Sequence, residues 1–169
     1  MRPVYTPPAR RTHTGLTPLQ KAINRATKFT EPEVEHIMHP VREAFKALRQ
    51  GVATHWQWKQ MASAVAIGLS IEHKGVVRGL TGHLQAADQA LSIIKARATR
   101  LGAWNPTPLW FDELDALDNF VHVHEFQVRT LSSGEFHQAF QHAVAEILRE
   151  GGELAEDARE AAMFERRAA

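Results

Sequence analysis

From Leu80 to Leu101 the apolar residues Leu80, Leu84, Ala87, Leu91, Ile94, Ala98 and Leu101 succeed one another at an unbroken 4-3-4-3-4-3 spacing. An α-helix brings such positions onto one face, and a face sustained for that length has to be covered lengthwise by other helices. The stretch therefore predicts a helix inside a bundle. Gly102 stops it, and the proline-stiffened run from Trp104 to Trp110 connects it to the next helix.

The rest of the chain reads the same way. Thr17 and Pro18 place a cap before a proline at a first helical position, with Leu19, Ile23 and Ala26 as a short apolar stripe. Thr30 with Glu33 forms a capping box ahead of Val34, Ile37, Val41, Ala44 and Leu48, and Pro40 should kink or restart that helix. Thr54 caps a helix whose apolar residues lie on every side, Trp58, Met61, Val65 and Leu69 on one face and Trp56, Ile67 and Ile71 on others, marking it as central. Asp112 is the expected cap of a helix with stripe Leu114, Leu117, Val121, His124, Val128 and Leu131. Ser132 and Glu135 open another, with Phe136, Phe140, Val144 and Ile147 as its apolar face up to Gly151. No alternating β-branched run competes, so the fold class is all-α, a single-domain bundle of five or six helices.

Residues 1–16, with three prolines and three arginines and no acid, read as a disordered basic arm, 17–150 as the bundle, and 151–169 as a peripheral acidic helical tail. With no cysteine, disulfides, thiolate zinc sites and cysteine nucleophiles are excluded, which suits a reducing cytoplasm. Met61 to Ile71, the longest uncharged apolar stretch, is about half what a bilayer requires, so no membrane partner is expected. The net charge of +1 conceals a division: residues 1–101 hold 15 Lys/Arg against 6 Asp/Glu, residues 102–169 hold 5 against 13. Such a split points to an acidic or polyanionic partner for the basic half, or to halves that neutralise each other in one fold or across a homodimer.

Catalytic patterns are missing. The Gly68-Leu-Ser70-Ile-Glu72 run lacks the second glycine and the preceding strand of a nucleophile elbow. Among 10 histidines, only His36 and His39 share a helical face with acids beside them, and their order matches no metal motif. We expect no catalytic residue, no metal and no cofactor. His124 occupies a core-stripe position; a hydrogen-bonded core histidine fits best, with a pH-sensitive packing or interface role as the alternative. Gly75, Gly79 and Gly82, among Lys74, Arg78 and His83, precede a helix and could cradle an anion, but their spacing matches no phosphate-binding loop and a flexible helix connection is the favoured reading.

Candidate partner or nucleic-acid contacts are Arg10, Arg11, Lys74, Arg78, Lys95, Arg97 and Arg100, which together could neutralise phosphates or meet an acidic protein face. Ala64 to Ser70 looks like the first helix and turn of a helix-turn-helix, but the expected recognition helix falls on Lys74 and a glycine-broken segment. Trp104 and Trp110, beside prolines in the connector, are candidate interface anchors.

Two stretches, Pro40-Val-Arg-Glu-Ala-Phe-Lys-Ala-Leu-Arg-Gln-Gly51 running into Trp58, and Leu114 to Leu131 with His124 and Gln127, resemble small uncharacterised helical proteins of proteobacterial phages and plasmids. The resemblance covers less than half of the chain. It implies a mobile-element accessory protein, and raises regulators and inhibitors of host defence as roles, without supplying an activity. The expectation is thus a non-enzymatic module that binds a protein partner through a charged helical face, with a nucleic-acid-binding regulator as the alternative.

Overall fold

A computed structural model of the chain describes residues 17–151. They form an all-α bundle of six helices: α1 (Pro18–Ala26), α2 (Glu31–Arg49), α3 (His55–His73), α4 (Thr81–Ala98), α5 (Phe111–Thr130) and α6 (Ser133–Arg149). The basic arm with Arg10 and Arg11, and the tail from Gly152 onward, lie outside the described residues. No described helix is long and apolar enough to cross a membrane.

Local chemistry sets most helix starts. Gln20, Glu33, Gln57 and Glu135 each reach back to accept the backbone N–H of Thr17, Thr30, Thr54 and Ser132 at 2.8–2.9 Å, satisfying donors that a helix start leaves unpaired. α5 departs from expectation. Asp112 is exposed within its first turn, the cap position belongs to Trp110, and Glu113 accepts the Trp110 N–H at 2.8 Å. α2 runs through Pro40 as one helix, with Met38 and Val41 buried on either side of the proline. Burial of that face holds the helix together across the one ladder bond that a proline removes.

α3 is the central element, packed against α2, α4, α5 and α6, while α5 also packs on α2 and α4, and α1 on α6. The heptad stripe of α4 is buried at Leu84, Ala87, Leu91, Ile94 and Ala98. Leu101 is not part of it: the helix ends at Ala98, and Leu101 is 81% exposed. Two further stripes shift. On α6 the fully buried residues are Ala139 and Ala143, with the larger Phe136, Phe140 and Val144 only half-buried, because close approach to α3 selects the small side chains. On α1, Leu19 and Ile23 are exposed, and the helix is held at Gly134, where an added Cβ would lie 2.7 Å from the Arg25 carbonyl oxygen.

The charge division is partly resolved inside the fold. Arg42 on α2 pairs with Glu125 on α5 at 2.7 Å, and Arg97 on α4 pairs with Glu113 on α5 at 2.7 Å, so cations of the first half meet acids of the second.

His124 is a core residue, 1% exposed and stacked on Phe120 at 5.3 Å, which removes it as an interface candidate. Gln127 Nε2 donates to the Gly68 carbonyl at 3.1 Å, which turns its Oε1 toward His124 Nδ1 at 3.3 Å; the histidine proton therefore sits on Nδ1. Gly68 leaves room for that contact: a Cβ there would stand 3.0 Å from Leu84 and 3.1 Å from Gln127, so a larger residue needs both side chains to give way. Burial pushes the His124 pKa down from 6.5 to about 4, against the opposing hydrogen bond to Gln127. Its contribution to stability is therefore complete above pH 6.5 and is lost as pH falls toward 4, amounting to about 3 kcal/mol. Denaturant unfolding as a function of pH should show this decline above the carboxylate range, and His124→Gln should flatten it; an identical pH slope in the variant would refute the assignment.

Candidate functional site

The connector between α4 and α5 is an ordered strap. The Asn105 N–H donates to the Ala98 carbonyl at 2.8 Å, and Trp104 Nε1 donates to the Ala53 carbonyl at 2.8 Å, tying the strap to the turn before α3. Pro108 closes over Gly51, whose φ of +70° favours glycine and whose added Cβ would meet the proline nitrogen at 3.3 Å. Trp104 is thereby part of the packing, its ring clustered with those of His55 and Trp58 at centroid distances of 4.8 and 6.1 Å.

Arg97 organises the outer side of the strap. Its Nε donates to Thr107 Oγ1 at 3.1 Å, Nη2 to the Pro108 carbonyl at 3.1 Å, and both terminal nitrogens to Glu113 at 2.7 Å. Glu113 is 4% exposed, so this is a largely desolvated bidentate pair, and its hydrogen bonds raise the Arg97 pKa further above its ordinary value. The guanidinium carbon lies 4.4 Å from the centre of the Trp110 ring, fixing the indole from one side. The opposite side is open: Trp110 is 62% exposed, and the adjoining Phe111 is 81% exposed. Arg97, Arg100, Leu101, Asn105 and Trp110 border one shallow depression of about 400 Å³. Leu101, Arg100 and the Arg97-held Trp110 thus share one depression at this end of the bundle, and the exposed Phe111 follows Trp110 at the start of α5.

The other candidate cations do not converge there. Lys74 and Arg78 lie at the opposite end of α4, a helix of 18 residues and so about 27 Å long. Arg78 Nε donates to the Gly75 carbonyl at 3.1 Å. Lys95 sits 5.0 Å from the Trp58 ring centre. Arg97 is consumed internally, so among the described candidates Arg100 and Lys74 are the exposed cations with no such contact. The glycine-rich anion cradle before α4 is filled by the protein itself: Glu72 Oε1 accepts the N–H groups of Gly79 and Leu80 and the Thr81 hydroxyl at 2.8–3.1 Å. Burial pushes the Glu72 pKa up, but those hydrogen bonds outweigh it and hold the carboxyl below its ordinary value. Neither Glu72 nor Glu113 was legible as functional, because both act through neighbours that only packing brings close. Phe111 had a local signal, an aromatic pair beside a cap.

Catalytic geometry is weak. Ser70 Oγ lies 3.2 Å from His142 Nδ1, but Ser70 is in the body of α3, where backbone N–H groups are spent on the helix and none remains to stabilise an oxyanion. Among the described residues no group of three or more His, Asp or Glu side chains is arranged to hold a metal, and His36 and His39 are both exposed. No family model, curated protein or solved structure matches the chain.

The two arginines of this end should behave differently in equilibrium unfolding. Arg97→Ala leaves Glu113 buried without its partner and should cost about 3 kcal/mol, whereas Arg100→Ala should change stability by no more than about 0.5 kcal/mol. Equal losses would contradict the structural role given to Arg97.

Proposed function

We propose that this chain is a non-enzymatic protein-interaction module, and, in line with its resemblance to phage and plasmid proteins, an accessory, regulatory or anti-defence protein of a mobile element. The partner binds at the end surface of Leu101, Trp110, Phe111 and Arg100. The supporting observation is the exposure of Trp110, which Arg97 and Glu113 hold in place, in one depression with the exposed Leu101, with the exposed Phe111 following it in the chain. Scattered exposed apolar residues are ordinary, but a tryptophan clamped by an arginine is pre-ordered, so burying it costs little side-chain entropy. Trp and Arg are also the residue types on which interface energies concentrate. The complementary chemistry is an apolar recess with carboxylates at its rim, facing Arg100.

The nucleic-acid alternative rests on Arg10, Arg11, Lys74, Arg78 and Arg100 and makes a different demand, steep weakening with salt. The two separate with one pair of proteins, the natural chain and the Trp110→Ala/Phe111→Ala variant. Partner capture, with subsequent titration of the captured protein, should give at least about tenfold weaker binding for the variant. Unchanged affinity would reject the end surface. Anisotropy titration of random duplex and single-stranded DNA at two salt concentrations, if it shows tight salt-sensitive binding in both proteins, would replace the interaction reading with the nucleic-acid one. Light scattering that shows a dimer dissociated by the double substitution would make a second copy the partner.

A further inference from the structure

α4 and α6 both pack on α3, and between them runs an open groove of about 830 Å³, a size at which small molecules are bound. Trp58 Nε1 donates to the Leu91 carbonyl at 3.0 Å and Gly68 abuts Leu84, so α3 and α4 run antiparallel and Ser63 stands level with Asp88. Glu150, the C-cap of α6, comes to the same level, since its charge acts on Asp88. Ser63, Asp88 and Glu150 all line the groove, one from each helix.

These three side chains are acceptors without donors. Glu72, Glu113 and Glu125 are each held by donors of their own, but among the described residues neither the Asp88 nor the Glu150 carboxylate has an ion-pair or hydrogen-bond partner. Burial raises the Asp88 pKa above its ordinary value, and the Glu150 charge raises it further. Ser63 supplies an independent observation: it is only 9% exposed, it lines the groove, and its hydroxyl has no partner among the described residues. Buried polar groups are normally satisfied, so a hydroxyl left open beside two unpaired carboxylates marks a place for a donor. Two lysines restrict what that donor can be. Lys95 lies 5.0 Å from the Trp58 ring centre, two turns of α4 beyond Asp88, and Lys59 stands one turn of α3 before Ser63, so positive charge borders the groove on that side. On the other side the lining is Ala66, Leu69 and Ile147. A cation seated between the carboxylates therefore meets repulsion one way and apolar surface the other, which suits a single charge carried on a hydrocarbon body and disfavours a polyamine. A metal ion suits the set less well, because no third ionisable ligand completes it.

We propose that the groove between α4 and α6 binds a small primary monoamine, its ammonium donating to Asp88, Glu150 and Ser63 and its aliphatic body lying over Ala66 and Leu69. An ammonium has three N–H donors and no acceptor, which matches three acceptors. Binding also neutralises two carboxylates that repel each other in the free chain. The site is independent of the end surface formed by Trp110, which lies on the strap after α4.

Calorimetric titration of the full chain with n-hexylamine at neutral pH tests the site, beside hexan-1-ol and hexanoate, which keep the hydrocarbon body and lose the ammonium. Hexylamine should saturate one site per chain, with the alcohol and the acid at least about tenfold weaker, since a charge-assisted hydrogen bond is worth that much. The Asp88→Asn/Glu150→Gln variant should lose at least about tenfold in hexylamine affinity. Its melting temperature should not fall below that of the natural chain, because the substitutions remove a repulsion and no contact. Circular dichroism checks its fold. No saturable binding of hexylamine, or equal affinity in the double variant, would overturn the proposal. Hexan-1-ol binding as tightly as the amine would reduce the site to an apolar groove and overturn it too. Tighter binding of spermidine, calcium or zinc at the same carboxylates would make it a polycation or metal site instead, and would equally reject the monoamine.

Discussion

Close packing at Gly68 is the constraint around which the bundle is arranged. α3 must receive neighbours on several sides at once, and at Gly68 both Leu84 of α4 and Gln127 of α5 come within about a side chain's width of its backbone. The Gln127 amide turns that approach into a specific contact by donating to the Gly68 carbonyl and accepting from His124. Two polar side chains that would be costly alone satisfy each other and α3. The pair also fixes the register of α5 against α3, because a shift by one residue would bury both amide and imidazole without partners. Fixing α5 in turn sets Glu113 opposite Arg97 and Glu125 opposite Arg42.

Those ion pairs change the meaning of the charge division. A chain with basic and acidic halves invites an external explanation, yet part of the imbalance serves internal cross-links between helices far apart in sequence. The buried Arg97–Glu113 pair is the consequential one. Exposed pairs contribute little, whereas a desolvated bidentate pair is expensive to break and holds the strap in one conformation. Its effect is to present Trp110 and Phe111 outward on a firm base, the arrangement that supports an interaction role.

Helix boundaries were readable because their causes are local. Thr54 with Gln57 and Ser132 with Glu135 satisfy their own helix starts, and the Leu84, Leu91, Ile94 stripe of α4 results from its period alone. Errors arose where a local rule met a tertiary one. Asp112 is a good cap, but Glu113 is drawn inward by Arg97 and caps Trp110 on the way, so the helix begins earlier. Leu101 continues the heptad in sequence, but Thr99 and Gly102 turn the chain before it can join the core. On α6, the large residues looked like the core face, but distance to α3 left room only for Ala139 and Ala143. The candidate cations failed for the same reason: their shared charge said nothing of whether packing would spend them, as with Arg97, or separate them, as with Lys74.

By itself the sequence determined the class of fold, the order of its helices and the buried stripes of α2, α4 and α5, since period, capping and proline placement act within a few residues. Tertiary structure decided which charges remain available, which aromatic residues face out, and that the anion cradle before α4 is closed by Glu72. Those outcomes depend on the distance between groups remote in the chain. Coulombic and packing energies are set by that distance, and no local pattern encodes it.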